Sequence, residues 1–173
     1  EIIKDYFKKK KNIQCIYTGK ETLTGGRLLR LKKYFKHGES FMLTYGDGLT
    51  NQNLNKLVKF HLRHKRIATL TTVKPPARFG EAFLKGNRVS KFEEKPQVGE
   101  GCVNGGFFIL EPEVLNYIGE TNEPFEKKLL ENLSCDNQFN RYRLLGFWHA
   151  MDVIRDKDIL QNLWEQNNAH WKV

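Results

Sequence analysis

The sequence predicts an α/β fold, a mixed but mostly parallel sheet flanked by helices in three layers. Three observations carry that expectation. The hydrophobic rhythm of the first half switches repeatedly between strand and helix periods. The apolar run Phe41-Met42-Leu43 leads into Thr44-Tyr45-Gly46-Asp47-Gly48, which places a glycine-flanked carboxylate at the carboxyl end of a strand, where open α/β sheets bind ligands. Ala68 to Val73 is a β-branched run that stops before Pro75-Pro76. Strands joined through helices are expected to lie parallel, with right-handed crossovers.

The elements follow in order. Ile2, Ile3, Tyr6 and Phe7 share one face of an opening helix over residues 1–10 that has no capping residue before it. Ile13 to Tyr17 reads as a short strand, and Thr24 caps a helix through Tyr34 in which Leu28, Leu31 and Phe35 recur at helical spacing. Ser40 to Leu43 is the next strand. Asn53 caps a helix to about His64 that turns Leu54, Leu57, Val58 and Leu62 inward. Ala82 to Leu84 and Val89 to Phe92 flank Gly86-Asn87 as a hairpin. Asn104 to Leu110 is a buried strand entered through two glycines, and Pro112 and Pro124 open helices to Ile118 and Asn132. Arg141 to Leu145 is a further strand, and a last helix runs from about Val153 to Glu165.

At 173 residues, 39% of them hydrophobic, the chain can bury one sizeable core, so residues 1–173 are expected to form a single domain. No stretch approaches the roughly 20 apolar residues of a membrane helix. The first residues lack the order of a signal peptide, so the expected setting is cytoplasmic, with no membrane partner. Cys15, Cys102 and Cys135 are odd in number and far apart, which favours reduced thiols over zinc ligation. The net charge of +9 is uneven, concentrated in Lys8 to Lys11 and in Lys56, Lys59, Arg63, His64, Lys65 and Arg66 on one helix. Aromatic residues do not interleave with these cations, so they are read as solvated faces and no nucleic-acid partner is expected.

Several segments carry candidate chemistry. Asp47 has a partner in Asp152, which follows the strand 141–145 and Gly146-Phe147-Trp148 and so again lies near a strand's carboxyl end. Two such carboxylates can share Mg²⁺, a hard ion that takes the rest of its shell from water and phosphate; the alternative for Asp152 is a helix cap. Thr24-Gly25-Gly26-Arg27 puts two glycines at a helix start, suited to an anion or a nucleobase edge, or simply to a tight turn with Arg27 exposed. In Glu93-Glu94-Lys95-Pro96, Lys95 offers a point charge to a sugar phosphate and Glu94 an acceptor to sugar hydroxyls; alternating charge on an edge strand is the plainer reading. Asn104 with Gly105-Gly106 serves sugar recognition or is a bulge before a core strand.

Taken together, Thr22 to Leu28, Tyr45-Gly46-Asp47-Gly48, Pro75 to Gly80, Glu94-Lys95-Pro96, Asn104 to Phe108 and Gly146 to Asp152 resemble, in order, the motifs of sugar-1-phosphate nucleotidylyltransferases. Within that family the resemblance is to the glucose-1-phosphate cytidylyltransferase branch. It implies a Rossmann-like nucleotidyltransferase fold in which CTP and glucose 1-phosphate react to CDP-glucose and pyrophosphate. By the same resemblance Asp47 and Asp152 hold Mg²⁺ and are catalytic together with Lys95. Thr22, Gly26, Arg27 and Gly46 contact the nucleotide, and Gly80, Glu94, Lys95 and Asn104 contact the sugar phosphate. Self-association into a homo-oligomer is compatible with it. The family's glycine-rich loop, of the kind Gly-Gly-x-Gly-Thr-Arg, and its Arg-Pro-Lys-Pro lysine do not occur in this chain. The expectation is therefore a fragment without the first βα unit, impaired in turnover. Two alternatives stand beside it: a related enzyme using dTTP or UTP, and a non-catalytic module that binds sugar nucleotides.

Overall fold

The structure is a computed structural model and describes residues 2–74, 81–93, 101–119 and 122–172. Helix α1 (Ile2–Phe7) buries none of its residues. No strand forms over residues 13–17, contrary to expectation, and Tyr17 is 85% exposed. A β-propensity run without a neighbouring strand has no ladder to join. Helix α2 (Thr24–Arg30) buries Leu28 and passes into a single 3₁₀ turn at Lys32–Tyr34. Strands β1 (Phe41–Thr44) and β2 (Gly48–Thr50) bracket the Tyr45-Gly46-Asp47 turn. Helix α3 (Leu54–His64) starts where the Asn53 side chain accepts the backbone N–H of Lys56, and it ends at Lys65, which takes a left-handed φ of 54°.

Strand β3 (Ala68–Val73) is followed by the hairpin of β4 (Glu81–Lys85) and β5 (Arg88–Glu93), and then by β6 (Val103–Leu110). A 3₁₀ segment at Pro112–Tyr117 leads to an irregular helical turn at Phe125–Leu129, broken at Lys127 (φ −102°, ψ −109°), which continues as α4 (Leu130–Cys135). Strands β7 (Phe139–Arg143) and β8 (Trp148–Ala150) and helix α5 (Ile154–Glu165) complete the described chain.

The four-stranded sheet has the order β1-β6-β3-β7. The expectation of a mostly parallel sheet is overturned: β6 pairs antiparallel with both β1 and β3, and only β3 and β7 run parallel. The cause is the connection. A parallel return needs a crossover, here α3 between β1 and β3, whereas β3 reaches β6 through a hairpin and comes back antiparallel. Strands β1, β3 and β7 thus share one direction, with β6 inserted against it. The α/β class holds, with the sheet mixed and its pairings mainly antiparallel.

Alternation along β6 divides the core between two faces. Phe108 and Leu110 join Leu28, Ala68, Val114, Leu115, Phe125, Leu129 and Leu133 in one buried cluster. On the other side α3 packs on β6 and β7, with Leu57 fully buried. Each fully buried Leu or Phe in such a core contributes about 1.5–3 kcal/mol. Beneath α3 lies a polar chain at the end of the sheet opposite Asp47. Ser40 Oγ donates to Glu111 Oε1 (2.7 Å), and His61 joins that oxygen (Nε2, 3.0 Å) to Thr69 Oγ1 (Nδ1, 2.7 Å). His64 Nε2 meets the same hydroxyl at 2.7 Å, while its Nδ1 accepts the N–H of Arg66 (2.9 Å). That last bond fixes His64 as the neutral Nε2–H tautomer, and one set of protons then satisfies the chain from His64 through Thr69 and His61 to Glu111. Burial, with the neighbouring His61 adding to it, holds His64 below the usual imidazole range.

Candidate active site

The end of β1 is shaped by two glycines on β6. Gly106 has φ +76°, and a Cβ there would stand 3.1 Å from the Tyr45 ring, so this position suits glycine on both counts. At Gly105 a Cβ would stand 2.9 Å from Thr71 Oγ1, and its carbonyl accepts the Trp148 indole N–H at 2.8 Å. Between Leu70 and Thr72 the β3–β6 register shifts. Thr71 Oγ1 repairs that irregularity, donating to Phe107 O (2.8 Å) and accepting Phe107 N–H (3.1 Å). Tyr45 N–H donates to Gly106 O (3.1 Å), and the Tyr45 ring packs edge-on against Phe108. Asn104 then bridges the two segments: its Oδ1 accepts Gly106 N–H (2.8 Å) and its Nδ2 donates to Tyr45 Oη (3.2 Å).

Asp47 follows directly. Strands β2 and β8 pair antiparallel with Gly48 opposite Ala150, and Met151 N–H donates to Asp47 O at 2.9 Å. Asp152 is the next residue, so the two aspartates stand at the same end of this short ladder, and both are exposed. The loop before β8 is tied down by Asn51, whose Oδ1 accepts Phe147 N–H (2.8 Å). Asp152 does not occupy the N-cap of α5, which falls on Val153. The capping carboxylate is Asp156: its Oδ2 accepts the N–H groups of Asp152 and Val153, each at 3.2 Å, and His149 Nε2 lies 3.4 Å from its Oδ1. Burial alone would raise the Asp156 carboxyl, but the two N–H donors and His149 outweigh it and hold the group below the usual range. Asp156 thereby fixes the backbone from which Asp152 projects.

The start of α2 is welded to the segment before α4. Gly25 N–H donates to Glu123 O (2.9 Å), Leu23 N–H to Asn122 Oδ1 (2.7 Å) and Phe125 N–H to Thr24 Oγ1 (2.8 Å). Gly26 is buried inside α2 and Thr22 is buried just before it. Arg27 is half-buried rather than exposed, donating from Nη1 to Thr18 Oγ1 (2.7 Å) and from Nη2 to Lys20 O (3.4 Å). Part of its guanidinium fork holds the preceding loop, which leaves fewer of its donors for a ligand.

Of the residues expected in the site, Asp47 and Asp152 are brought to one place, and Asn104 and Gly46 lie beside them through Tyr45. Thr22, Gly26 and Arg27 form a second group around the start of α2. Gly80, Glu94 and Lys95 lie outside the described residues. Sequence reasoning missed the polar side chains that join the two groups, Thr24, Tyr45 and Glu126. Glu126 accepts the Thr24 hydroxyl on Oε2 (2.8 Å) and the Tyr45 hydroxyl on Oε1 (2.8 Å). Tyr45 lay inside a motif already singled out, whereas nothing in spacing or composition marks Glu126.

A mixed sheet with a glycine-flanked aspartate at a strand end, met by a second aspartate from a late β-ladder, puts this protein in the α/β class whose ligands bind outside the carboxyl ends of strands. The chain belongs to the nucleotidyl transferase family, whose model matches residues 1–153. It is 38% identical over 161 residues to a glucose-1-phosphate cytidylyltransferase of Salmonella typhimurium, covering 93% of this chain and 63% of that protein. A probable glucose-1-phosphate cytidylyltransferase of Bacillus subtilis is also 38% identical, over 162 residues, with the same coverages. The mannose-1-phosphate guanylyltransferase catalytic subunit beta of Dictyostelium discoideum is 31% identical, over 91% of this chain and 45% of that protein. The chain thus spans less than two thirds of the length of these curated relatives. Among solved structures, HddC from Yersinia pseudotuberculosis shares the fold with a TM-score of 0.70 at 18% identity, over 95% of this chain and 74% of that one.

Proposed function

We propose that this chain carries the metal and sugar-phosphate side of a cytidylyl-transfer site, acting on CTP and glucose 1-phosphate to give CDP-glucose and pyrophosphate. The observation that carries the reading is the convergence of Asp47 and Asp152, held by the Met151 N–H to Asp47 O bond, in a chain 38% identical to cytidylyltransferases. In the reaction an oxygen of the sugar phosphate forms a bond to the α-phosphorus of CTP, and the bond from that phosphorus to the bridging oxygen breaks, releasing pyrophosphate. No covalent bond to the protein is required, so the side chains act by positioning and by offsetting charge.

Mg²⁺ fits the donor chemistry. Asp47 and Asp152 are exposed, hard oxygen donors, and no cluster of three or more His, Cys, Asp or Glu occurs among the described residues. An ion held by two carboxylates completes its shell with water and substrate phosphates. When bound it would offset the charge of two phosphates brought face to face. Thr22, Gly26, Arg27 and Gly46 are assigned to the nucleotide, Asn104 to the sugar phosphate, and Gly80, Glu94 and Lys95 to the same half of the substrate. The pairing of base and sugar rests on the cytidylyltransferase relatives; similarity to a mannose-1-phosphate guanylyltransferase makes a panel of nucleotide sugars the proper test.

Calorimetry of CDP-glucose, dTDP-glucose, UDP-glucose and GDP-mannose against the chain, with and without Mg²⁺, provides it. CDP-glucose should bind most tightly and only with Mg²⁺, and Asp47→Ala should abolish the Mg²⁺ dependence. Preference for another nucleotide sugar would overturn the base assignment, and Mg²⁺-independent binding unaffected by the substitution would overturn the metal assignment.

A further inference from the structure

Glu126 sits between the two halves of the proposed site and belongs to neither. Its carboxylate can only accept hydrogen bonds, so both of its partners must donate to it. Thr24 Oγ1 gives its proton to Oε2 at 2.8 Å and accepts Phe125 N–H at 2.8 Å. Tyr45 gives its hydroxyl proton to Oε1 at 2.8 Å, which leaves that oxygen as an acceptor only. Asn104 turns its Nδ2 towards Tyr45 (3.2 Å) and its Oδ1 towards Gly106 N–H (2.8 Å), the one arrangement that suits both neighbours. Every donor and acceptor along this path has one allowed direction, anchored at one end by Gly106 N–H, which can only donate, and at the other by the Glu126 carboxylate, which can only accept. The path also joins the loop that opens α2 to the bulge that opens β6, two segments about 80 residues apart in the chain.

We infer that Glu126 is a positioning residue: through Tyr45 it anchors the Asn104 amide in the place from which it meets the sugar phosphate, and through Thr24 it holds the nucleotide-side loop in register with that amide. The inference rests on the assignment of Asn104 to the sugar half. Tyr45 is suited to its part, since a phenolic hydroxyl can donate to the carboxylate and accept from the amide at once. Glu126 itself is exposed. Removing it therefore takes away one anchor of the relay without opening a hole in the core.

The test uses the ¹⁵N-labelled chain, its Glu126→Ala and Glu126→Gln variants, and Tyr45→Phe as a second break in the relay. In the ligand-free protein, Glu126→Ala and Tyr45→Phe should shift or broaden the Asn104 side-chain amide and Gly106 backbone signals, while Glu126→Gln, which can still accept from Tyr45, should largely restore them. With Mg²⁺ present, Glu126→Ala should weaken CDP-glucose binding about tenfold, the scale of one lost charge-assisted hydrogen bond. CTP affinity should move by less than about threefold, a change below half of that free energy. Unmoved Asn104 and Gly106 signals, or unchanged CDP-glucose affinity, would overturn the inference. If the unsubstituted chain binds neither ligand, the functional assignment falls and the ligand-free signals alone decide whether Glu126 governs Asn104.

Discussion

Substituting Gly106 by alanine tests how the β6 bulge shapes the site. The backbone there has φ +76°, which costs an L-residue about 1–2 kcal/mol. The new methyl would also stand 3.1 Å from Tyr45 Cδ2, so the ring must give by a few tenths of an ångström. That shift strains the Tyr45 hydroxyl's bonds to Glu126 and Asn104, worth about 1 kcal/mol together if partly lost. The expected total is about 2–3 kcal/mol. Gly38 supplies a control, because its φ is +75° and nothing lies within 4 Å of its would-be Cβ. Gly38→Ala should cost only the backbone part. In urea, with a slope of about 2 kcal/mol per molar, the midpoint should fall by about 1–1.5 M for Gly106→Ala and by about 0.5–1 M for Gly38→Ala. Equal midpoints, or a smaller effect at Gly106, would refute the claim that this glycine is needed for the approach of Tyr45.

Two further outcomes bear on the fold. Thr71→Val keeps the shape but removes the hydroxyl that serves both Phe107 groups, leaving partly buried backbone polar atoms unpaired, and should cost about 1–3 kcal/mol by urea denaturation; a neutral result would show that the bulge holds without it. The His64 network makes stability depend on pH. Because His64 is held below its unfolded value of about 6.5, the unfolded chain binds more protons in that range, so its contribution is complete above about pH 6.5 and is lost as pH falls through the lowered folded value. Urea midpoints at pH 7.5 and 5.5 should differ less in His64→Gln than in the unsubstituted chain, and the same difference in both would remove His64 from the account.

Most helices and strands beyond residue 40 were legible from strong local signals, whereas the three-residue strands β2 and β8 were not expected. Asn53 caps α3 as expected, Ala68–Val73 matches β3 residue for residue, and the Gly86-Asn87 turn sits between β4 and β5. Sheet direction was misread although its clue was present: the segment between Val73 and Asn104 reads as a hairpin rather than the helical crossover that usually accompanies a parallel return. Ile13 to Tyr17 shows the opposite limit, an apolar run with strand character but no pairing partner among the described residues. In the site, Asp47 and Asp152 could be picked out because each follows a run of strand character, Phe41 to Leu43 and Arg141 to Leu145. Glu126 could not, since its role comes from three segments meeting in space. The direction of its hydrogen bonds is a property of that meeting and not of any local pattern.

Asp47 and Asp152 are proposed to hold one divalent ion together with the nucleotide sugar. Mn²⁺ prefers the same oxygen donors as Mg²⁺ and broadens nearby NMR signals. Titrated into the ¹⁵N-labelled chain with CDP-glucose, it should broaden the backbone signals around Asp47–Gly48 and Met151–Val153 first and most, and this selectivity should disappear in Asp47→Asn. Broadening centred elsewhere, or the same pattern in the variant, would contradict the claim.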